Sequence, residues 1–234
     1  MHTTPVIDST REEDAGSAVG RWTSARFAGL GGLAFVGTVI AQNLLRAGYP
    51  MNDAPAAQVV EFYADHRGLT YVLAVLYPIG AVGLAAFVAG IVSHAVKRGA
   101  ALPATVGAFG GAAIMANFTL MLATDGAISG YVHRGTASLE VVEGLWVFHN
   151  SVFGVLLASI GIALSGLATA VIKTGELSGR WRPAAYAGSG LLLAAAATSP
   201  MIIDGAPTMF LGFAGFLVWV VFVAAGSVNL LRRG

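Results

Sequence analysis

Six long apolar stretches, separated by short polar connectors of lopsided charge, constrain this chain more than any other feature. A hydrocarbon core about 30 Å thick takes roughly 20 helical residues at about 1.5 Å each. Residues 25–45, 69–92, 103–123, 144–172, 183–203 and 209–231 meet that length. Lipid offers no partners to backbone N–H and C=O groups, so each stretch must satisfy its own hydrogen bonds or close into a barrel. The stretches are too long and too little alternating for barrel strands. The expectation is an all-α, polytopic bundle of six transmembrane helices over residues 25–234, preceded by a flexible polar cytoplasmic tail, residues 1–24. Composition agrees. Hydrophobic residues make up 56% and charged residues 11%, with a mean hydropathy of +0.74, more apolar than a water-soluble core of this size requires.

Charge sets the expected direction of the spans. Arg11, Arg21, Arg26, Lys97, Arg98, Lys173, Arg180, Arg182, Arg232 and Arg233 fall on one face of a six-span bundle, and Arg46, Arg67 and Arg134 on the other. Cytoplasmic loops carry the Lys/Arg excess, so both termini are expected in the cytoplasm and the chain in a plasma membrane. Trp22, Trp181 and Trp146 fall at span ends, where amphipathic rings suit headgroup depth. The polar start of the chain shows no short apolar core with a small-residue cleavage site, so no cleaved signal peptide is expected. The absence of cysteine excludes disulfides, thiol redox chemistry and thiolate zinc sites.

Many of the 31 glycines lie inside the spans, where small residues let membrane helices approach backbone to backbone. Gly107 and Gly111 form a GxxxG pair, and Gly154, Ala158, Gly161 and Ser165 make a similar stripe. Gly80 with Gly83 and Gly212 with Gly215 repeat the theme on two further spans. Such stripes serve packing within one chain, a homo-oligomer, or contact with a larger complex. Pro78 and Pro200 are expected to kink their spans.

The concentrated chemistry lies at the outer side, where Asp53, Glu61, Asp65, Asp125, Glu140, Glu143 and Asp204 join His66, His133 and His149. Between the first two spans a short interfacial helix is expected, capped by Asn52 or Asp53, with Pro55 in its first turn and Gly68 at its end. Ala56, Val59, Val60 and Tyr63 form its apolar stripe, and Gln58, Glu61 and Asp65 its polar face. Asn117, Met121 and Asp125 share one face of the third span, and Glu143, Trp146 and Asn150 one face of the fourth, with His149 one position aside. Ionisable groups at the edge of a bilayer are costly to keep without a use. A carboxylate beside an imidazole makes a workable acid and base, or a structural ion pair. The candidate catalytic residues are therefore Asp125, His149, Glu61 and Asp204, although turn chemistry alone explains an Asp in the Asp204-Gly205-Ala206-Pro207 segment. Candidate substrate-binding residues are Asn43, Asn117, Trp146, Asn150 and Tyr77, with interhelical hydrogen bonding as the plainer role of the amides. The acids Asp8, Glu12, Glu13, Asp14 and Glu176 fall in the tail and an inner loop, where nothing catalytic is suggested.

No His-x-x-x-His or His-Glu-x-x-His spacing is present, so no metal site is expected, and no cofactor either. The chain has no P-loop, dinucleotide fingerprint, Gly-x-Ser-x-Gly elbow or basic run suited to nucleic acid.

The segments Phe62-Tyr63-Ala64-Asp65-His66-Arg67 and Leu145-Trp146-Val147-Phe148-His149-Asn150, with the ending from Leu211-Gly212-Phe213 to Arg232-Arg233, carry a resemblance. In these the chain resembles a broad group of functionally uncharacterised multi-pass membrane proteins of high-GC Gram-positive bacteria. The resemblance implies a six-helix plasma-membrane architecture and no particular activity. Three functions fit the residues: a membrane-embedded acid–base enzyme acting on an apolar lipid or isoprenoid, a small proton-coupled transporter, and an accessory subunit or scaffold of a larger membrane complex.

Overall fold

The computed structural model describes residues 10–233, with side chains from Ser24 onward. Of the tail expected over residues 1–24, residues 10–24 form the start of the first helix, and residues 1–9 lie outside the described residues. The described chain is helical throughout, without strands. Its elements are α1 (Thr10–Leu45), α2 (Ala56–Asp65), α3 (Arg67–Lys97), α4 (Ala101–His133), α5 (Leu139–Lys173), a 3-10 turn (Gly179–Trp181), α6 (Arg182–Ala197), α7 (Ser199–Ile203) and α8 (Met209–Arg233).

Among the described residues, five helical segments are long and apolar enough to cross a membrane: Ser24–Leu45, Arg67–Lys97, Ala101–His133, Leu139–Lys173 and Met209–Arg233. The remaining expected span, residues 183–203, is split at Thr198 into α6 and α7. Pro200 supplies the cause, since it has no N–H to donate and its ring crowds the carbonyl four residues earlier. The chain bends there while the Thr198 hydroxyl bonds back to the Ala194 and Ala195 carbonyls, at 3.2 and 3.0 Å. Pro78, by contrast, lies within an unbroken α3. Several helices outrun their apolar stretches. Helix α4 continues ten residues past Ala123 to His133, so Asp125 lies within the helix, as its shared face with Asn117 and Met121 implied. Hydropathy marks the lipid-facing length, whereas a helix stops only where its backbone bonding stops.

The long helices form a closed ring in the order α1, α3, α4, α5, α6, α8, with α5 also touching α3 and α8. Helix α5 is accordingly the most enclosed, with 67% of its apolar window buried against 28–39% in the other four. The core between them is built on Phe35, Phe87, Leu164, Leu167, Trp219 and Phe222, while Leu30, Val75, Phe109 and Val155 project outward as lipid would require.

Glycine sets how closely the helices approach. A Cβ added at Gly110 would lie 2.3 Å from the Ala163 nitrogen, and one at Gly166 2.3 Å from the Gly107 nitrogen, so α4 and α5 meet backbone to backbone. Helices α1 and α3 meet likewise at Gly31 and Gly83, and α6 and α8 at Gly188 and Gly215. The GxxxG pair does not act as one surface. Gly107 faces Leu167 of α5, whereas Gly111 faces Val88 of α3. The stripe on α5 is also used internally, Gly154 against Ser199 and Gly161 against Leu192 and Leu193.

Helix α2 forms where its stripe predicts, with Val59 and Tyr63 buried and Gln58, Glu61 and Asp65 exposed. Its ends differ from expectation. Pro55 occupies the N-cap position with no side-chain cap, and α3 begins one residue after His66, leaving Gly68 inside α3. The buried face of α2 lies on α4 and α5 and forms a second apolar cluster with Ile128, Val142 and Trp146. Two polar ends result. One gathers residues of α2, the α1–α2 connector and the adjoining ends of α1, α4 and α5, and the other the basic ends of α3, α5 and α8.

Candidate functional site

At the first end a single carboxylate organises the chemistry. Asp125 has no solvent exposure, and groups from three other segments converge on it. The Tyr63 hydroxyl of α2 donates to Oδ1 at 2.7 Å, and the Arg46 guanidinium beyond α1 donates to Oδ2 at 3.0 Å. Nδ1 of His149, on α5, stands 3.2 Å from Oδ1, although off the line of a hydrogen bond. A buried carboxylate is tolerable only with such compensation.

The partners are themselves held. Arg46 lies over the rings of Tyr49 and Phe118, at 5.4 and 5.6 Å to their centroids, a cation–π arrangement that strengthens where water is scarce. The Tyr63 hydroxyl, its own proton given to Asp125, accepts from that of Tyr49 at 3.2 Å. His149 stacks on Trp146 with ring centroids 5.1 Å apart and planes 14° from parallel. The ring of Trp146 is buried beneath α2, and its indole N–H has no hydrogen-bond partner among the described residues.

Other candidates lie around this centre without touching it. The Asn150 amide donates to the Asn52 carbonyl at 3.0 Å, fastening α5 to the connector before α2. That connector also meets the turn after α7. Gly205 adopts φ +83°, a left-handed conformation that a side chain disfavours, and a Cβ there would lie 2.5 Å from Asp53 Oδ2. Asn117 donates to the Ser159 hydroxyl at 3.0 Å, joining α4 to α5. Tyr77 donates to the Met115 carbonyl at 3.1 Å, contacts the Thr119 hydroxyl and stacks on Phe118. The Asn43 amide turns back to the Val39 carbonyl of its own helix at 2.9 Å. Glu61 and Asp204 are exposed and make no hydrogen bond or ion pair with Asp125 or His149. The structure thus brings together Asp125, His149 and Trp146 of the named residues. It adds Arg46, Tyr49 and Tyr63, whose only sequence signal was a polar tip within or beside an apolar stretch.

Burial, followed by the charge of Asp125, raises the tyrosine hydroxyls of Tyr49 and Tyr63 above their ordinary range. Both phenols therefore stay protonated in the folded chain at pH values where unfolded tyrosine ionises, about 10. The unfolded state then binds fewer protons than the folded state, so stability falls as pH climbs past that point. The unfolding midpoint in detergent is expected to drop steeply above about pH 10, and the slope to flatten in Tyr63→Phe. Equal slopes in the two proteins would contradict this coupling.

Among the described residues no three His, Asp or Glu side chains converge as a metal site would require. Of the named candidates, the Asp125 carboxylate and the His149 imidazole are the ionisable pair in contact, at 3.2 Å. No protein family, curated protein or solved structure matches this chain.

Proposed function

We propose that this integral membrane protein is an acid–base enzyme whose Asp125–His149 dyad exchanges protons with an apolar, lipid-like substrate. One observation carries the reading: the fully buried Asp125 carboxylate stands 3.2 Å from Nδ1 of His149, itself buried and stacked on Trp146. The carboxylate orients and the imidazole reacts, a division of labour that lets His149 take a proton and return it. In this reading α1, α3, α4, α5, the α6–α7 pair and α8 make six crossings of a plasma membrane. The basic end and both termini face the cytoplasm. Helix α2 lies along the outer interface as a roof over the dyad, and substrate reaches His149 sideways from the outer leaflet.

A proton-coupled permease draws on buried Gln42 and on the Asn117–Ser159 hydrogen bond as an inward polar line. Farther along α5, however, Ile160, Ala163, Leu164, Leu167 and Val171 are all buried and apolar. They interrupt such a line before the opposite end, so chemistry at one mouth is the better-supported reading.

The test uses the full chain reconstituted with total membrane lipid in D2O, followed by lipid mass spectrometry. Wild type is expected to place deuterium in, or convert, a discrete lipid species. His149→Gln and Asp125→Asn are expected to lose at least about 100-fold of that rate, the usual worth of a positioned general base. A wild type that leaves every lipid unchanged, or a folded His149→Gln protein as active as wild type, would remove the enzyme reading.

A further inference from the structure

The basic end carries a separate feature that the dyad does not use. A cavity of about 740 Å³ opens between α1, α3 and the end of α8. Its wall is apolar, with Phe27, Ala86, Gly90 and Leu230, and its rim is polar, with His94, Lys97, Arg98 and Arg233 around Glu176.

Charge at the rim is unbalanced. Glu176 is nearly buried, 8% exposed at its side chain, and it is shared. Arg98 approaches one carboxylate oxygen at 3.2 Å, His94 contacts the same oxygen, and Arg233 contacts the other. The carboxylate is fixed from behind, because the Asn229 amide donates to the Glu176 carbonyl at 2.7 Å. The tight turn at Gly175, φ +71°, aims it at α3 and α8. Lys97 has no carboxylate partner among the described residues. Among the described residues three cations, Lys97, Arg98 and Arg233, therefore face one carboxylate, an excess of two positive charges before His94 is counted.

We infer that this cavity binds an anionic phospholipid, its phosphate among Lys97, Arg98 and Arg233 and an acyl chain along Phe27, Ala86 and Gly90. Surplus charge of two at the mouth of an apolar cleft matches a headgroup with its chain still attached. A soluble phosphate would make no use of the apolar wall. The arginines are each partly committed to Glu176, so Lys97 is the free electrostatic contact, and the two guanidiniums supply directed donors.

The experiment is native mass spectrometry of the full chain in mild detergent, titrated with phosphatidylglycerol or with phosphatidylcholine of the same acyl chains. Phosphatidylglycerol is expected to bind about tenfold or more tightly than phosphatidylcholine, each Lys or Arg near an anionic headgroup contributing roughly fivefold. Lys97→Gln is expected to lose about fivefold of that preference, and Arg233→Gln to lose preference as well. Should Arg233→Gln fail to fold once Glu176 is released, Lys97→Gln, which breaks no ion pair among the described residues, still decides the matter. Equal binding of the two lipids, an unaltered preference in Lys97→Gln, or full displacement by millimolar inorganic phosphate overturns the inference.

Discussion

Arg46→Met is expected to destabilise the chain by about 3 kcal/mol or more, because it strands a fully buried carboxylate without its cation. The Tyr63 hydroxyl and His149 remain, but neither brings a permanent charge to balance Asp125. The cost comes from leaving one partner alone, not from any large net worth of the pair. Arg46→Met combined with Asp125→Leu is accordingly expected to recover most of the loss, since two apolar side chains need no compensation. Unfolding midpoints of wild type, the single variant and the double variant, measured in one detergent, check both statements. A single variant as stable as wild type would mean that the guanidinium contributes nothing to holding the carboxylate.

Gly110→Leu has the larger structural consequence. The new side chain would begin 2.3 Å from the Ala163 nitrogen and 2.7 Å from its Cα, and backbone atoms of a neighbouring helix have no rotamer by which to move aside. Helices α4 and α5 must separate, which parts the two helices that carry Asp125 and His149. Overpacking usually costs about 1–3 kcal/mol, and a clash with backbone sits at or above the upper limit. Loss of the wild-type folded peak on size exclusion is the expected outcome. Gly126→Ala supplies the contrast, because a Cβ there meets nothing within 4 Å. It is expected to leave stability unchanged or to raise it by about 0.5–1 kcal/mol through helix propensity. Equal behaviour of the two variants would show that proximity of α4 to α5 does not limit stability.

What sequence could foretell follows from the range of the physics involved. The apolar stretches declared the helices, because lipid leaves the backbone no other choice. The stripe of Val59 and Tyr63 declared the inward face of α2, because helical periodicity is local. Asp125 and His149 were foreseeable as neighbours, since both fall toward one end of adjacent spans. Arg46 was not. It follows an apolar stretch and is read as a connector charge, and its partner Asp125 lies 79 residues away along the chain. Glu176 escaped for the same reason. A lone acid in a basic loop is ordinarily solvated, yet the turn at Gly175 presses it among His94, Arg98 and Arg233. Pro200 announced a distortion, but not that the helix would divide into α6 and α7.

Helix α5 spans 35 residues without interruption, a stiff rod about 50 Å long at about 1.5 Å per residue. Its first half carries His149, and the chain leaves its far tip directly into Glu176. Both polar ends are thereby placed by one helix, a common ruler for the distance between them.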